Sequence, residues 1–239
     1  MKITDFASLI VFENQDFILI NKPYDISSLD ERDVTRPSIL KMVKEYHADA
    51  QLCHRLDKET SGILAIAKHP EAYRHLSLQF QKRTLTKIYH AVCQGLHELE
   101  NYKVDLPIAI AGKAAVRIDK KEGKRSETFV STLQLFKGHS LLEARPRTGR
   151  MHQIRIHLAA IRAHIVADTT YGGKMLMLSD IKKKYRLGKF QEEEQPFIKR
   201  VALHAFALHF KGMDGEELEI EAPYPKDFRA LVMQLEKNT

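Results

Sequence analysis

The chain has 239 residues, 44% hydrophobic and 29% charged, and carries a net charge of +7; it suits a globular protein with a sizeable core and favours a polyanionic partner, nucleic acid or an acidic membrane surface. Its two cysteines, Cys53 and Cys93, form no CxxC pair, which excludes a cysteine-based zinc module and argues against a disulfide-rich secreted scaffold. No apolar run approaches the ~18 residues of a bilayer span and the first residues do not read as a signal peptide, so a cytoplasmic protein is expected.

Ile10 to Ile20 holds two short apolar runs around Glu13-Asn14-Gln15-Asp16, which predicts a hairpin whose second strand stops at Pro23. Ile39, Leu40, Val43 and Tyr46 predict a helix over 38–46. Ile63 to Ala67 reads as a buried strand. Pro70 suits a helix first turn, and Tyr73, Leu76 and Phe80 carry that helix to Lys82. Thr86 to Gln94 alternates as a strand and Gly95 closes it. Residues 103–125, with Pro107, Gly112, Gly123 and many lysines, read as strand and loop. Thr128–Phe136 and Ser140–Ala144 pair around Lys137-Gly138-His139. Ile154, His157, Leu158 and Ile161 predict a helix over 150–162. A short strand at 165–167, a polar excursion at 174–195, strands at 200–210 and 217–220, and a helix at 227–236 complete the chain. Strands outnumber helices without regular alternation. The expectation is one α+β domain over 1–239 with a mixed, largely antiparallel central sheet flanked by helices and loops.

The most informative string is His54-Arg55-Leu56-Asp57-Lys58-Glu59-Thr60-Ser61-Gly62. It sets the Asp57 carboxylate beside an arginine, two hydroxyls and a glycine, directly before a buried strand. The string resembles the catalytic motif of the ribosomal large-subunit type of pseudouridine synthase, the RluA family, whose aspartate performs the chemistry. Further blocks match in the family's order: Ile20-Asn21-Lys22-Pro23; Lys87 to Gly95; Arg147 to Leu158 with Asp168 and Tyr171-Gly172; and Arg200-Val201-Ala202-Leu203-His204-Ala205. Two positions depart from the pattern. Asp25 stands where glycine is usual and Met151 where serine or threonine is usual. The chain starts too near its first strand for the N-terminal S4-type RNA-binding domain that many relatives carry.

The resemblance implies a single pseudouridine-synthase-like domain and an isomerase that converts uridine to pseudouridine in ribosomal or transfer RNA. No redox change or group donor is needed, so no cofactor is implied. Asp57 is the implied catalytic carboxylate; attack on C6, attack on C1′ and abstraction of a sugar proton all stay open. Arg155 is the implied cation beside it, since an ionised aspartate out of water is costly unless paired. Tyr89 is the aromatic face for the extruded base, with Leu203 as an opposite wall and Arg55 filling the vacated stack or holding a phosphate. Lys22, Thr60 and Arg150, each inside a matching block, join the implied substrate contacts. The basic stretch Lys113, Arg117, Lys120, Lys121, Lys124 and Arg125 is read as a loop over the RNA, with Lys124 and Arg125 on its backbone. No metal is expected, because His152 and His157 stand at i, i+5 and lie on different helix faces. Neither an obligate protein partner, a membrane nor a dimer is implied, and the protein is read as a monomer. The competing readings are a catalytically silent RNA-binding relative or chaperone and, with weaker support, a metal-dependent nuclease or hydrolase.

Overall fold

In the computed structural model, which describes residues 5–31, 36–112, 115–182, 185 and 193–238, hydrophobic runs become strands and the spaced apolar residues become helices. In chain order these are β1 (Ile10–Glu13), β2 (Phe17–Lys22), α1 (Ile39–Tyr46), β3 (Gln51–Leu52), β4 (Ser61–Ala67), α2 (Pro70–Lys82), β5 (Thr86–Gln94), β6 (Tyr102–Asp105), β7 (Ile108–Ala111) and β8 (Ala115–Ile118). There follow β9 (Glu127–Phe136), β10 (His139–Pro146), α3 (Gln153–Ala160), α4 (Leu178–Ile181), β11 (Leu203–Lys211), β12 (Glu217–Glu221) and α5 (Lys226–Lys237). They fall into two compact units, Met1–Tyr89 with His204–Pro223, and His90–Leu203 with Tyr224–Thr239. The chain passes from the first to the second within β5.

The first unit is built on β4, buried at all seven positions. β2 lies antiparallel along one edge of β4, and β1 returns beside β2. On the other edge, β3 pairs antiparallel at Ile66 and Ala67, and β11 pairs parallel at Ser61 and Gly62; β12 then folds back on β11. The β1–β2 turn forms because the Asn14 side chain accepts hydrogen bonds from the Asp16 and Phe17 amides, at 2.9 and 2.7 Å. Ser38 caps α1 through the Lys41 amide, at 3.1 Å, and Pro70 occupies the first turn of α2. Ile39 and Val43 of α1 and Ala72 and Leu76 of α2 join Ile18, Ile20, Leu64 and Phe210 in one core. Gly62 has φ +115°, and a Cβ there would lie 2.1 Å from the Ala205 carbonyl oxygen. Only glycine lets β11 approach β4 at this point.

The second unit runs from β5 through β10 and β9 to β6, with β9–β10 and β6–β9 antiparallel. Phe228, Leu231, Val232 and Leu235 give α5 its buried face. Arg200 forks onto Asp227 through two bonds of 2.8 and 3.0 Å. The class is therefore α+β with a mixed, mostly antiparallel sheet, as the sequence implied.

Three local expectations change and a fourth, strand and loop over 103–125, gains detail. The helix expected over 150–162 starts only at Gln153, because His152 has φ +51° and residues before it form a turn. Residues 200–202 precede β11 rather than extending it. Residues 165–167 make a single bridge, Cys93 to Ile165, not a strand. Within 103–125, β7 and β8 form a separate two-stranded sheet around Gly112, at φ +75°. The excursion at 174–195 contains α4; Lys113, Lys183 and Lys184 lie outside the described residues.

Candidate active site

Asp57 sits in the loop between β3 and β4, and that loop is fastened at both ends. At its start, the Cys53 amide donates to the Ala65 carbonyl at 3.0 Å, while His54 Nε2 accepts the Ala65 amide at 3.0 Å. Burial, with the charge of Lys87 second, pulls the His54 imidazole down to about 3, so it acts as a neutral acceptor. Next to Asp57, Leu56 is buried, and its amide and carbonyl exchange bonds with the Ser28 hydroxyl, at 3.0 and 2.8 Å. After it, the Thr60 amide donates to the Asp57 carbonyl at 3.0 Å and closes a turn. Asp57 itself is half-buried and Arg55 is exposed. The carboxylate is thus set by backbone and buried neighbours on either side.

Tyr89, on β5 in the same unit, packs against the core while remaining half-buried. Burial, with the Asp57 charge second, pushes its phenol above the ordinary range. Two of the expected residues, Asp57 and Tyr89, are therefore close enough to interact electrostatically. The ring is protonated and neutral at physiological pH, which suits an aromatic face.

One expected substrate contact is corrected and a second is buried. Lys22 is completely buried, and its ammonium donates to the carbonyls of Pro23 and Ile26, each at 2.9 Å, and of Lys58 at 3.3 Å. A side chain enclosed in this way cannot meet RNA; it gathers the 23–26 segment and the Asp57 loop around one positive charge. Thr60 is also buried, and its amide closes the Asp57 turn. Lys22→Met is expected to lower stability by about 1–3 kcal/mol by leaving buried carbonyls unsatisfied, read from urea unfolding. Weaker RNA binding at unchanged stability would restore the substrate contact.

In the second unit Arg155 projects from α3 and is buried with Asp168. Nε and Nη2 meet the two carboxylate oxygens at 2.8 and 2.6 Å, and the side chains are 3% and 1% exposed. This is the planar fork that only arginine makes. Burial and the Asp168 charge together push the Cys93 thiol up, which keeps it unreactive. Arg147 to Arg150 form a loop locked by Gln153. Its carbonyl oxygen accepts from the Thr148 hydroxyl at 2.6 Å and the Arg150 amide at 3.0 Å, and its amide group donates to the Glu127 carbonyl and the Thr128 hydroxyl. The Arg150 side chain is exposed, as are those of Arg147, Lys124 and Arg125. Arg117 is paired to Asp119 at 2.8 Å. Leu203 is buried at the start of β11.

Several contributing residues carried no signal of their own. Gln153 and Asp168 lie inside matching blocks, but only the fold reveals what they hold. Lys87, two residues before Tyr89, is half-buried, and burial with the neighbouring Arg83 lowers it to about 8. The histidines weighed as metal ligands have other partners: His157 joins the Thr128 hydroxyl and the Leu106 carbonyl, each at 2.9 Å, and His152 joins the Tyr171 hydroxyl. Among the described residues no group of three His, Cys, Asp or Glu side chains is placed to hold a metal ion, and no helix is long and apolar enough to cross a membrane.

Comparison with known proteins gives this arrangement a family. Residues 16–160 match the family described as RNA pseudouridylate synthase. The ribosomal large subunit pseudouridine synthase D of Vibrio parahaemolyticus serotype O3:K6 (strain RIMD 2210633) is 33% identical over 96% of this chain and 71% of its own length. The protein of the same name from Escherichia coli (strain K12) is 34% identical over 93% of this chain and 69% of its own. Among solved structures, human RNA pseudouridylate synthase domain containing 4 superposes with a TM-score of 0.72 at 22% identity, covering 96% of this chain and 94% of that one. Human RNA pseudouridylate synthase domain containing 1 gives 0.65 at 26% identity, covering 90% and 83%. With the match spanning Asp57, Tyr89 and Arg155 alike, the chain belongs to the RNA pseudouridylate synthase family, in its RluA branch.

Proposed function

We propose that this chain isomerises uridine to pseudouridine in RNA, with Asp57 as catalytic carboxylate, Tyr89 as the face on which the target base stacks, and Arg155 as the cation of the site. The observation that carries the reading is the setting of Asp57, a half-buried carboxylate fixed by its own turn, whose charge reaches a neutral tyrosine ring. In the reaction the N1–C1′ bond breaks and a C5–C1′ bond forms. The proton on C5 is lost as N1 gains one, so nothing is oxidised and no cofactor is required. Bringing a stacked uridine to Asp57 costs a few kcal/mol, and stacking on an aromatic ring returns about 1–3 kcal/mol. Arg55, exposed two residues before Asp57, is proposed to fill the vacated stack. Arg150, Lys124 and Arg125 are proposed to follow the RNA backbone, and Leu203 to face the base.

The relatives named for the large ribosomal subunit support ribosomal RNA over transfer RNA as the substrate, and a cytoplasmic site of action. We read the protein as a monomer that needs no protein partner. The direct test is RNA labelled with tritium at C5 of uridine. The protein is expected to release label without an added cofactor, in step with pseudouridine appearing at mapped positions. RNA binding without label release would instead identify a silent relative.

A further inference from the structure

We infer that Tyr171 is a positioning residue with two separable duties: its hydroxyl holds the β7–β8 hairpin in place, and its ring supports Arg155. The inference rests on the roles proposed above for Arg155 and for Lys124, whose backbone exchanges bonds of 3.0 and 2.8 Å with Ile108 of that hairpin. A two-stranded sheet is marginal by itself and leaves outward-facing amides without a strand partner. Here the Val116 amide of β8 donates to the Tyr171 hydroxyl at 2.9 Å. The same hydroxyl makes a 2.9 Å bond with His152 Nδ1, at the start of the helix that carries Arg155. The ring lies under the guanidinium, with Arg155 Cζ 5.1 Å from its centroid, a cation–π distance.

Tyr171 is itself held firmly. Its amide and that of Gly173 both donate to the Asp168 carbonyl, at 3.1 and 2.8 Å, and its own carbonyl accepts from His164 Nδ1 at 2.7 Å. Gly172 has φ +88°, and a Cβ on Gly173 would fall 1.9 Å from the Ile165 carbonyl oxygen, so the turn admits few alternatives. The side chain of Asp168 meanwhile binds Arg155. One short turn thus fixes the guanidinium from its edge by a carboxylate and from its face by a ring, and the same ring's hydroxyl reaches the hairpin.

Tyr171→Phe keeps the ring and removes the hydroxyl; Tyr171→Leu removes both. The phenylalanine variant is expected to exchange its Val116 amide faster and to raise KM for RNA about two- to tenfold, the scale of one hydrogen bond, with kcat unchanged. The leucine variant is expected to lose kcat as well. Unaltered Val116 exchange in Tyr171→Phe, or a loss confined to kcat, would overturn the inference, and this variant serves even where the leucine one fails to fold. Amide exchange and RNA affinity need no turnover. Should the wild type make no pseudouridine, the activity reading falls while these two measurements still decide the tether.

Discussion

Asparagine at position 57 is expected to cut pseudouridine formation by about 10²–10⁴-fold or more, while RNA affinity stays at the wild-type level. The substitution is nearly isosteric, and bonds on either side of position 57 hold the loop. Its turn closes on the Asp57 carbonyl, Leu56 is pinned by Ser28, and Lys22 holds the Lys58 carbonyl. What disappears is the charge, and with it the ability to accept a proton or form a bond. Tritium release and fluorescence anisotropy on the same RNA separate the two effects. Label release by Asp57→Asn within about tenfold of wild type, less than a positioned acid–base group contributes, would remove Asp57 from its role. A parallel loss of RNA affinity would mean that the loop had been disturbed instead.

The second large effect is on stability. Replacing Arg155 by methionine leaves Asp168 as a buried carboxylate without its two-bond partner, a change that costs about 3–5 kcal/mol. Replacing both residues by apolar ones of similar volume removes the burden along with the attraction, so the double variant is expected to be more stable than Arg155→Met alone. Urea unfolding of the two single variants and the double variant gives the coupling. A midpoint for Arg155→Met equal to that of wild type would show that the pair contributes nothing. Lysine is no substitute, since it cannot form the paired Nε and Nη2 bonds. Activity is expected to be lost in all of these, so stability is the discriminating measurement.

The framework could be read from the sequence wherever burial was continuous or the spacing regular. Ile63–Ala67 becomes β4, Pro70–Lys82 becomes α2, and Asn14 and Asp16 stand at the hairpin turn, because each outcome depends on neighbours a few residues away. The helix at 150–162 was overdrawn because its apolar spacing said nothing of the Gln153 side chain. That group claims the preceding backbone for the Arg147–Arg150 loop. Residues 103–125 read only as strand and loop, without strand limits, since four-residue strands give alternation little length in which to register. In the candidate site, the string around Asp57 was legible as a block, but the burial of Lys22 was not. A lysine beside a proline in a block shared with an RNA-modifying family reads as a substrate contact until three backbone carbonyls are found around its ammonium. Likewise Arg155 was read as the cation beside Asp57, and nothing in the string marked Asp168, thirteen residues on, as the carboxylate that its Nε and Nη2 would meet.

The parallel pairing of β4 with β11 joins residues 143 positions apart. At about 5–20 residues per second of translation, the later strand follows the earlier by roughly 7–30 s. During that interval the Ser61–Gly62 edge of β4 has nothing to bond on the β11 side, and the aspartate loop ahead of it is anchored to an incomplete sheet. Each nascent chain must therefore keep its most apolar strand from pairing with a neighbour on the polysome, and the loop that carries Asp57 gains its full support only once residues 204 and 205 have been made.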